Sequence, residues 1–404
     1  MADRPKMMHY DESMAILDQV EVKTPRTHTR YLTETPGFVL AEDIVADSDM
    51  PEFPTSGMDG YAVRHADLAR GRLRVLGDNP AGSDLTQRVE PGTCIKTFTG
   101  SLMPEGSDTL IPIENVTVEG EEIIIDEPVG PGYAVRPVGE AYSRGDVLIP
   151  RGSEIGFTEI GVMAGLNIER PTVFDKPVVA VLSTGSELLQ LGEEQTSDAQ
   201  IRSTNNYTIE AIVNRFGGDA LRLESPRDDY EGTLSAMADA VERSDIVVTT
   251  GGVSVGDYDF VKDIIGELGF EVLFRGVRIK PGQHIVLARK GDKFILALPG
   301  FAYSSTVTAL LYLLPLMGKF THRDLNLPMV KGTLREPFTK RAKKAEFTAC
   351  NVTLEEGRYV VDFQGKKVGT SAILTNMLGN AALLYTREDG QNKAAGDEVD
   401  LLLY

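Results

Sequence analysis

Three short, unbroken apolar runs stand out in the second half of the chain: VVAVLS from Val178, IVVTT from Ile246 and FILAL from Phe294. Runs of this length, rich in Val and Ile and followed closely by glycine, predict strands buried on both faces. Between them, apolar residues recur every three or four positions over 205–218 (NNYTIEAIVNRFGG), 230–244 (YEGTLSAMADAVERS) and 257–269 (DYDFVKDIIGELG), which predicts amphipathic helices. DALRLE (219–224) adds a strand, and AYSSTVTALLYLLPLMG (302–318) a buried helix. Strands alternating with helices predict a parallel, doubly wound α/β domain over 177–328, with a ligand crevice at the carboxyl ends of the strands.

The rest of the chain has a different rhythm. Residues 10–22 (YDESMAILDQVEV) predict an amphipathic helix starting near Asp11 or Ser13, and 36–49 a turn and strand. From 51 to 138 short runs (RLRVLG, CIKTF, TLIPIENV, EEIIIDEP) lie between Gly, Pro, Asn and Asp, the mark of a β-rich domain. FTEIGVMAGL (157–166) predicts a helix. RYVVDF, NAALLYT and DEVDLLLY predict a small, barrel-like β domain over 329–404. The expected division is thus 1–50 with 139–176, then 51–138, 177–328 and 329–404.

Charge narrows the possible partners. With 41 basic against 60 acidic residues, the net charge is -19. Such a chain repels nucleic acid and anionic membranes, whose phosphates need Lys and Arg. The two cysteines, Cys94 and Cys350, are far apart and imply neither a disulfide framework nor a thiolate metal site. The first residues lack the apolar core of a signal peptide. The long apolar stretch from Leu296 is broken by Pro299, Gly300 and Pro315, so strand, turn and buried helix fit it better than a membrane span. A cytoplasmic protein is expected.

Candidate chemistry gathers at the predicted strand ends. In IVVTTGGVSVGDYDF, a strand runs into Gly251-Gly252, Ser254 and Gly256, then Asp257 and Asp259. Backbone N–H groups of such a loop suit a phosphate, and the acids either cap a helix or hold a cation beside it. STGSEL repeats the arrangement with Thr184, Gly185 and Glu187, and PRDDYEG brings Asp228 and Asp229, either of which would serve equally as a helix cap. Glu187, Asp228, Asp229, Asp257 and Asp259 together form a candidate Mg²⁺ set, since hard cations take oxygen ligands and share them with phosphates. VRIKPGQH concentrates Arg278, Lys280 and His284 at a turn, either an anion contact or a solvated hairpin; Ser304 in LPGFAYS caps a helix or donates to an anion. TSGMDGYAVR and TGSLMPEGSDTLIPIEN read as loops.

Taken in order, SGMDGYAVR, TGSLMPEGSDTLIPIEN, STGSEL, TTGGVSVGDYD, IKPG and LPG resemble the molybdopterin molybdenumtransferase family, which includes MoeA and the E domain of gephyrin, over essentially the whole chain. The resemblance implies a homodimer of four-domain subunits, with 1–50 and 139–176 in dimerisation. It implies an enzyme that uses Mg²⁺ to insert molybdate-derived molybdenum into adenylyl-molybdopterin, releasing AMP. The molybdopterin adenylyltransferase and apo-molybdoenzymes are the implied partners. By the same resemblance Asp59, Glu187, Asp228, Asp259 and Lys280 are catalytic, Asp59 acting across the dimer. Thr99, Gly100, Gly251, Gly252, Ser254, Gly256 and Ser304 match substrate-binding positions, joining Thr184, Gly185 and Arg278. The alternatives are a tungstate-handling enzyme on the same scaffold and a non-catalytic, gephyrin-like binding protein.

Several positions depart from the family pattern: Ala141 where GED has Asp, Gln283 and His284 where PGKP has Lys and Pro, LPGFAYS for LPGNPVS, and Ala349 at the EFxR arginine. Losing two charged donors predicts weaker oxyanion binding, or binding that tightens as the pH falls through the His284 titration.

Overall fold

A computed structural model describes residues 7–83, 87–185, 187–223, 229–252 and 260–404. The chain divides into two compact units, 1–41 with 152–156 and 170–404, and 42–151 with 157–169.

The first unit opens with α1 (Tyr10–Asp18), shorter than the predicted 10–22. The Gln19 N–H closes the helix on Ala15, and Val20 and Val22 continue into the core as non-helical chain. The apolar period therefore extends past the helix because tertiary packing, not helical geometry, uses its last positions. The α/β region follows as β1 (Val178–Ser183), α2 (Asn205–Arg215), β2 (Asp219–Arg222), α3 (Tyr230–Arg243), β3 (Ile246–Thr250), α4 (Val261–Glu267), β4 (Glu271–Arg275), β5 (Ile279–Lys280), β6 (Val286–Lys290), β7 (Lys293–Leu298), α5 (Ala302–Thr308) and α6 (Leu314–Thr321). The main sheet has the order β2-β1-β3-β7-β6-β4. Its β2, β1, β3 and β7 are parallel, while β6 and β4 join antiparallel to complete one edge.

Register explains the unbroken apolar runs. Val179 lies opposite Ile246 and Ile246 opposite Phe294, so each strand end falls level with the next. One face packs Val181, Val248 and Leu296 against α2 and the 302–321 helix; the other packs Leu182, Val247 and Ile295 with Met237 and Ile264. Two buried faces leave no place for polar alternation. The 302–318 helix is buried along nearly its whole length, with a π-turn over Ala309–Leu313. No described helix is long and apolar enough to cross a membrane.

Beyond it, β8 (Met329–Leu334), β9 (Ala345–Glu355), β10 (Arg358–Asp362), β11 (Ala381–Thr386) and β12 (Glu398–Leu403) run β9-β10-β8-β12-β11, and β11 pairs back on β9. The result is a closed five-stranded barrel, which removes open sheet edges. The short β5 adds to β9 in parallel, tying the α/β region to the barrel.

The second unit is a six-stranded sheet in the order Thr109–Pro112, Gly60–Val63, Thr93–Thr97, Arg72–Asn79, Glu122–Ile125, Val116–Glu119. Tyr61, Val63, Leu73, Cys94, Ile111 and Ile123 fill its core. The helix Phe157–Gly165 belongs to this unit and buries only Met163.

Candidate active site

Side by side in the sheet, β1, β3 and β7 deliver three loops to one edge. The Thr184 N–H donates to the Thr250 carbonyl (3.2 Å), and the Gly251 N–H to the Leu298 carbonyl (3.1 Å), so the Thr184-Gly185, Gly251-Gly252 and Pro299-Gly300 turns are knitted together. Gly185 has φ 145°, and a Cβ there would lie 2.5 Å from Glu187 Oε2. Only glycine lets the exposed Glu187 carboxylate fold back over the loop. Ser254, Gly256, Asp257 and Asp259, expected in the same place, lie outside the described residues, as does Asp228.

Asp229 is the N-cap of α3, accepting from the Gly232 N–H through Oδ1 at 2.6 Å. This is the capping alternative of the sequence pattern, and it uses one carboxylate oxygen. Among the described residues, no group of three or more His, Cys, Asp or Glu side chains is arranged around a metal position.

The crevice has a polar lining that the sequence pattern did not single out. Asn205 Nδ2 donates to the Gly300 carbonyl (2.8 Å), and Ser305 Oγ donates to Asn205 Oδ1 (3.1 Å). Asn206 is fully buried: its Oδ1 accepts from Ser183 Oγ at 2.5 Å, while its Nδ2 has no hydrogen-bond partner among the described residues. Both asparagines begin α2, and their preference for helix starts hides any second role in the sequence. At the rim Phe301, 64% exposed, forms the N-cap position of α5.

A second cluster sits where β5 meets the barrel. Lys280 Nζ is 3.7 Å from Oε1 of the buried Glu346, and Arg278 Nε donates to Glu388 Oε2 at 2.9 Å. Ser304 is buried, and its Oγ donates to the Ser371 carbonyl (3.1 Å). Ala349 is also buried; its N–H donates to the Tyr303 hydroxyl (2.8 Å), which donates to the Phe347 carbonyl (3.0 Å). A cavity of about 10 Å³ remains between Lys280, Tyr303, Glu346 and Ala349, room for about one water. Gln283 Nε2 lies 2.8 Å from His284 Nε2.

In the second unit, Asp59 and Thr99, 40 residues apart, are brought together: the carboxylate accepts from the Thr99 N–H (2.8 Å) and hydroxyl (2.7 Å). These two bonds hold the Asp59 carboxyl below its ordinary range, with Lys96 adding a smaller pull. Gly60 makes the arrangement possible, because a Cβ there would lie 2.3 Å from the Ile111 carbonyl oxygen of the neighbouring strand. Gly100, at φ 81°, turns the chain beside them. At the departed GED position, Glu140 pairs with Arg136 (2.5 Å) and Ala141 offers only its backbone, to Met50.

Residues 8–166 match the MoeA N-terminal region (domain I and II), and residues 180–319 match the probable molybdopterin binding domain. The chain is 32% identical over 315 residues to molybdopterin molybdenumtransferase of Haemophilus influenzae, covering 76% of this chain and 78% of that one. The chain belongs to the molybdopterin molybdenumtransferase family. A Staphylococcus aureus molybdopterin molybdenumtransferase is 30% identical over 383 residues, 93% of this chain and 90% of its own. The crystal structure of the molybdopterin biosynthesis MoeA protein of Pyrococcus horikoshii superposes with a TM-score of 0.84 at 28% identity, over 99% of this chain and 100% of that one. As a member of the molybdopterin molybdenumtransferase family the chain is an enzyme, and its role lies in molybdenum cofactor biosynthesis.

Proposed function

We propose that this enzyme inserts molybdate-derived molybdenum into adenylyl-molybdopterin and releases AMP in a Mg²⁺-dependent step. The observation that carries this reading is the convergence of the Thr184-Gly185, Gly251-Gly252 and Pro299-Gly300 turns at the carboxyl ends of three adjacent parallel strands. Glycine turns at strand ends expose N–H groups to phosphoryl oxygens. Glu187 is exposed beside them and free of any helix-capping duty, which suits a hard-cation ligand. In this reading Glu187, Asp228, Asp257 and Asp259 hold Mg²⁺, with Asp229 contributing only the oxygen not used in its cap. When bound, the cation polarises the phosphoryl oxygen of the bond that breaks. Ser254 and Gly256 extend the phosphate loop; Lys280, Arg278 and Ser304 serve the oxyanion; Asp59, fixed and kept ionised by Thr99, acts with Gly100 in the partner's cleft.

The homodimer in this proposal gains support from the helix Phe157–Gly165. Phe157 is 94% exposed and the helix buries little of its apolar surface, as expected for a face that a second copy covers. The reaction is cytoplasmic in this reading, supplied by the molybdopterin adenylyltransferase and delivering to apo-molybdoenzymes. The test is AMP release from adenylyl-molybdopterin with molybdate, with and without Mg²⁺, for wild type and Asp259→Asn. We expect AMP only with Mg²⁺ and almost none from Asp259→Asn. Full Mg²⁺-dependent release by that variant would remove the carboxylate cluster from the mechanism.

A further inference from the structure

Two consecutive residues at the start of α2 reach all three turns of the crevice. Asn205 Nδ2 donates to the carbonyl of Gly300, in the turn after β7 (2.8 Å). Asn206 Oδ1 accepts from Ser183 Oγ, on the last residue of β1. Ser183 has one hydroxyl proton and Asn206 takes it. The Thr250 hydroxyl, 2.8 Å away on the last residue of β3, therefore donates to Ser183. The relay from Thr250 through Ser183 runs in one direction and ends on a side-chain amide. Ser183, Thr250 and Asn206 are each at most 2% exposed, and hydrogen bonds in such a dry place are strong.

Both asparagines are turned away from their own helix. The N-cap of α2 is Thr204, without a side-chain cap, and the two amides reach to β1, to the turn after β7 and to α5. Asn205 Oδ1 accepts from Ser305 Oγ of α5 (3.1 Å), whose proton is shared with the Ala302 carbonyl (3.0 Å). Asn205 is thus held at both ends of its amide. Behind it α2 is anchored by Ile209, Ile212 and Val213, in the same core as Val181, Val248 and Leu296. An apolar residue at 206 would avoid an unpaired buried Nδ2 but could not accept from Ser183.

The turns need a hold that they do not supply themselves. A Cβ on Gly300 would lie 3.6 Å from the Gly251 Cα, and one on Gly251 would lie 3.0 Å from the Thr184 carbonyl oxygen. Backbones packed this closely leave no room for side chains to fix one turn against the next, and glycine has the most backbone freedom to lose. We propose that Asn205 and Asn206 are positioning residues: together they clamp the 184–185, 251–252 and 299–300 turns to the start of α2, and so set the spacing of the N–H groups that hold the substrate's phosphate. That the turns hold a phosphate rests on the proposed function; the clamp itself rests on the hydrogen bonds.

The test combines calorimetric titration with AMP and amide hydrogen exchange on the full chain, for wild type, Asn205→Ala, Thr250→Val and Thr250→Ser. Asn205→Ala unties the turn after β7. Thr250→Val removes the β3 hydroxyl at constant shape and Thr250→Ser restores it, so this pair decides the matter if Asn205→Ala does not fold. In Asn205→Ala and Thr250→Val the Thr184 and Gly251 amides should exchange roughly 10-fold faster, with α3 and the barrel unchanged. Misplaced donors should raise the dissociation constant for AMP roughly 10-fold in the same two variants. A merely structural role would instead lower the fraction of chains that bind, read from the stoichiometry, at an unchanged dissociation constant. Thr250→Ser should match wild type in both measurements. If wild type binds no AMP, the proposed function fails, and the exchange rates alone decide the clamp. Wild-type exchange at Thr184 and Gly251 in both Asn205→Ala and Thr250→Val, a wild-type dissociation constant in both, or no recovery in Thr250→Ser would overturn the proposal.

Discussion

Asp59 shows how a single side chain is set for its task by two neighbours. Both hydrogen bonds from Thr99 favour the ionised form, so the carboxyl should titrate below the ordinary aspartate value of about 3.9. A depressed carboxylate stabilises the fold at pH above its unfolded value, and this contribution is lost as the pH falls through the folded one. NMR titration of the Asp59 carboxyl should therefore give a lowered midpoint. Thr99→Ala, which removes the hydroxyl but keeps the N–H, should shift it part-way back; an unmoved midpoint would show that the backbone donor alone sets it. Phe301 offers a second handle. The chain contains no tryptophan, so Phe301→Trp would place its only one at the rim of the strand-end crevice. AMP binding should quench its emission, and a titration without any fluorescence change would put the nucleotide elsewhere.

At the scale of elements, α3 depends on Asp229 for its start. The side chain satisfies one of the N–H groups that a helix leaves unpaired at its first turn. Asp229→Ala should lower stability by about 1 kcal/mol, while Asp229→Asn, which retains the acceptor, should lower it far less. Urea unfolding measures both. If Asp229 also ligates Mg²⁺, Asn will lose AMP release while keeping stability, which separates the two duties of one residue. The capped helix was legible in the PRDDYEG pattern, and so were the strands β1, β3 and β7, because a run buried on both faces needs no neighbour to be recognised. The end of α1 was not: Val20 and Val22 keep the apolar spacing but serve the core outside the helix.

The whole molecule enters through assembly. Asp59 belongs to the unit 42–151 with 157–169, and Glu187 to the unit that carries the main sheet. If the first acts in the cleft of a second copy, Asp59→Ala and Glu187→Ala are each inactive alone. Mixing them should restore part of the AMP release, since a heterodimer assembles one cleft with both residues. Analytical ultracentrifugation should show a dimer at working concentration; a fully active monomer would exclude action in trans.

The sequence by itself determined the alternating α/β region, the β-rich character of the flanking segments and the family, because local periodicity and ordered short motifs survive without knowledge of contacts. It determined also that loops at the ends of β1, β3 and β7 would meet, since parallel neighbours align their carboxyl ends. Only the tertiary structure decided which side chains share a site. Asn205 and Asn206 looked like helix starters until folding set them against Ser183 and Gly300. Thr99 met Asp59 across 40 residues through strand pairing. Lys344, 61 residues from Gln283, reached the altered turn because β5 joins the barrel at β9. Such long-range pairs leave no trace in local composition, for the spacing that joins them is set by the register of strands and not by the chain between.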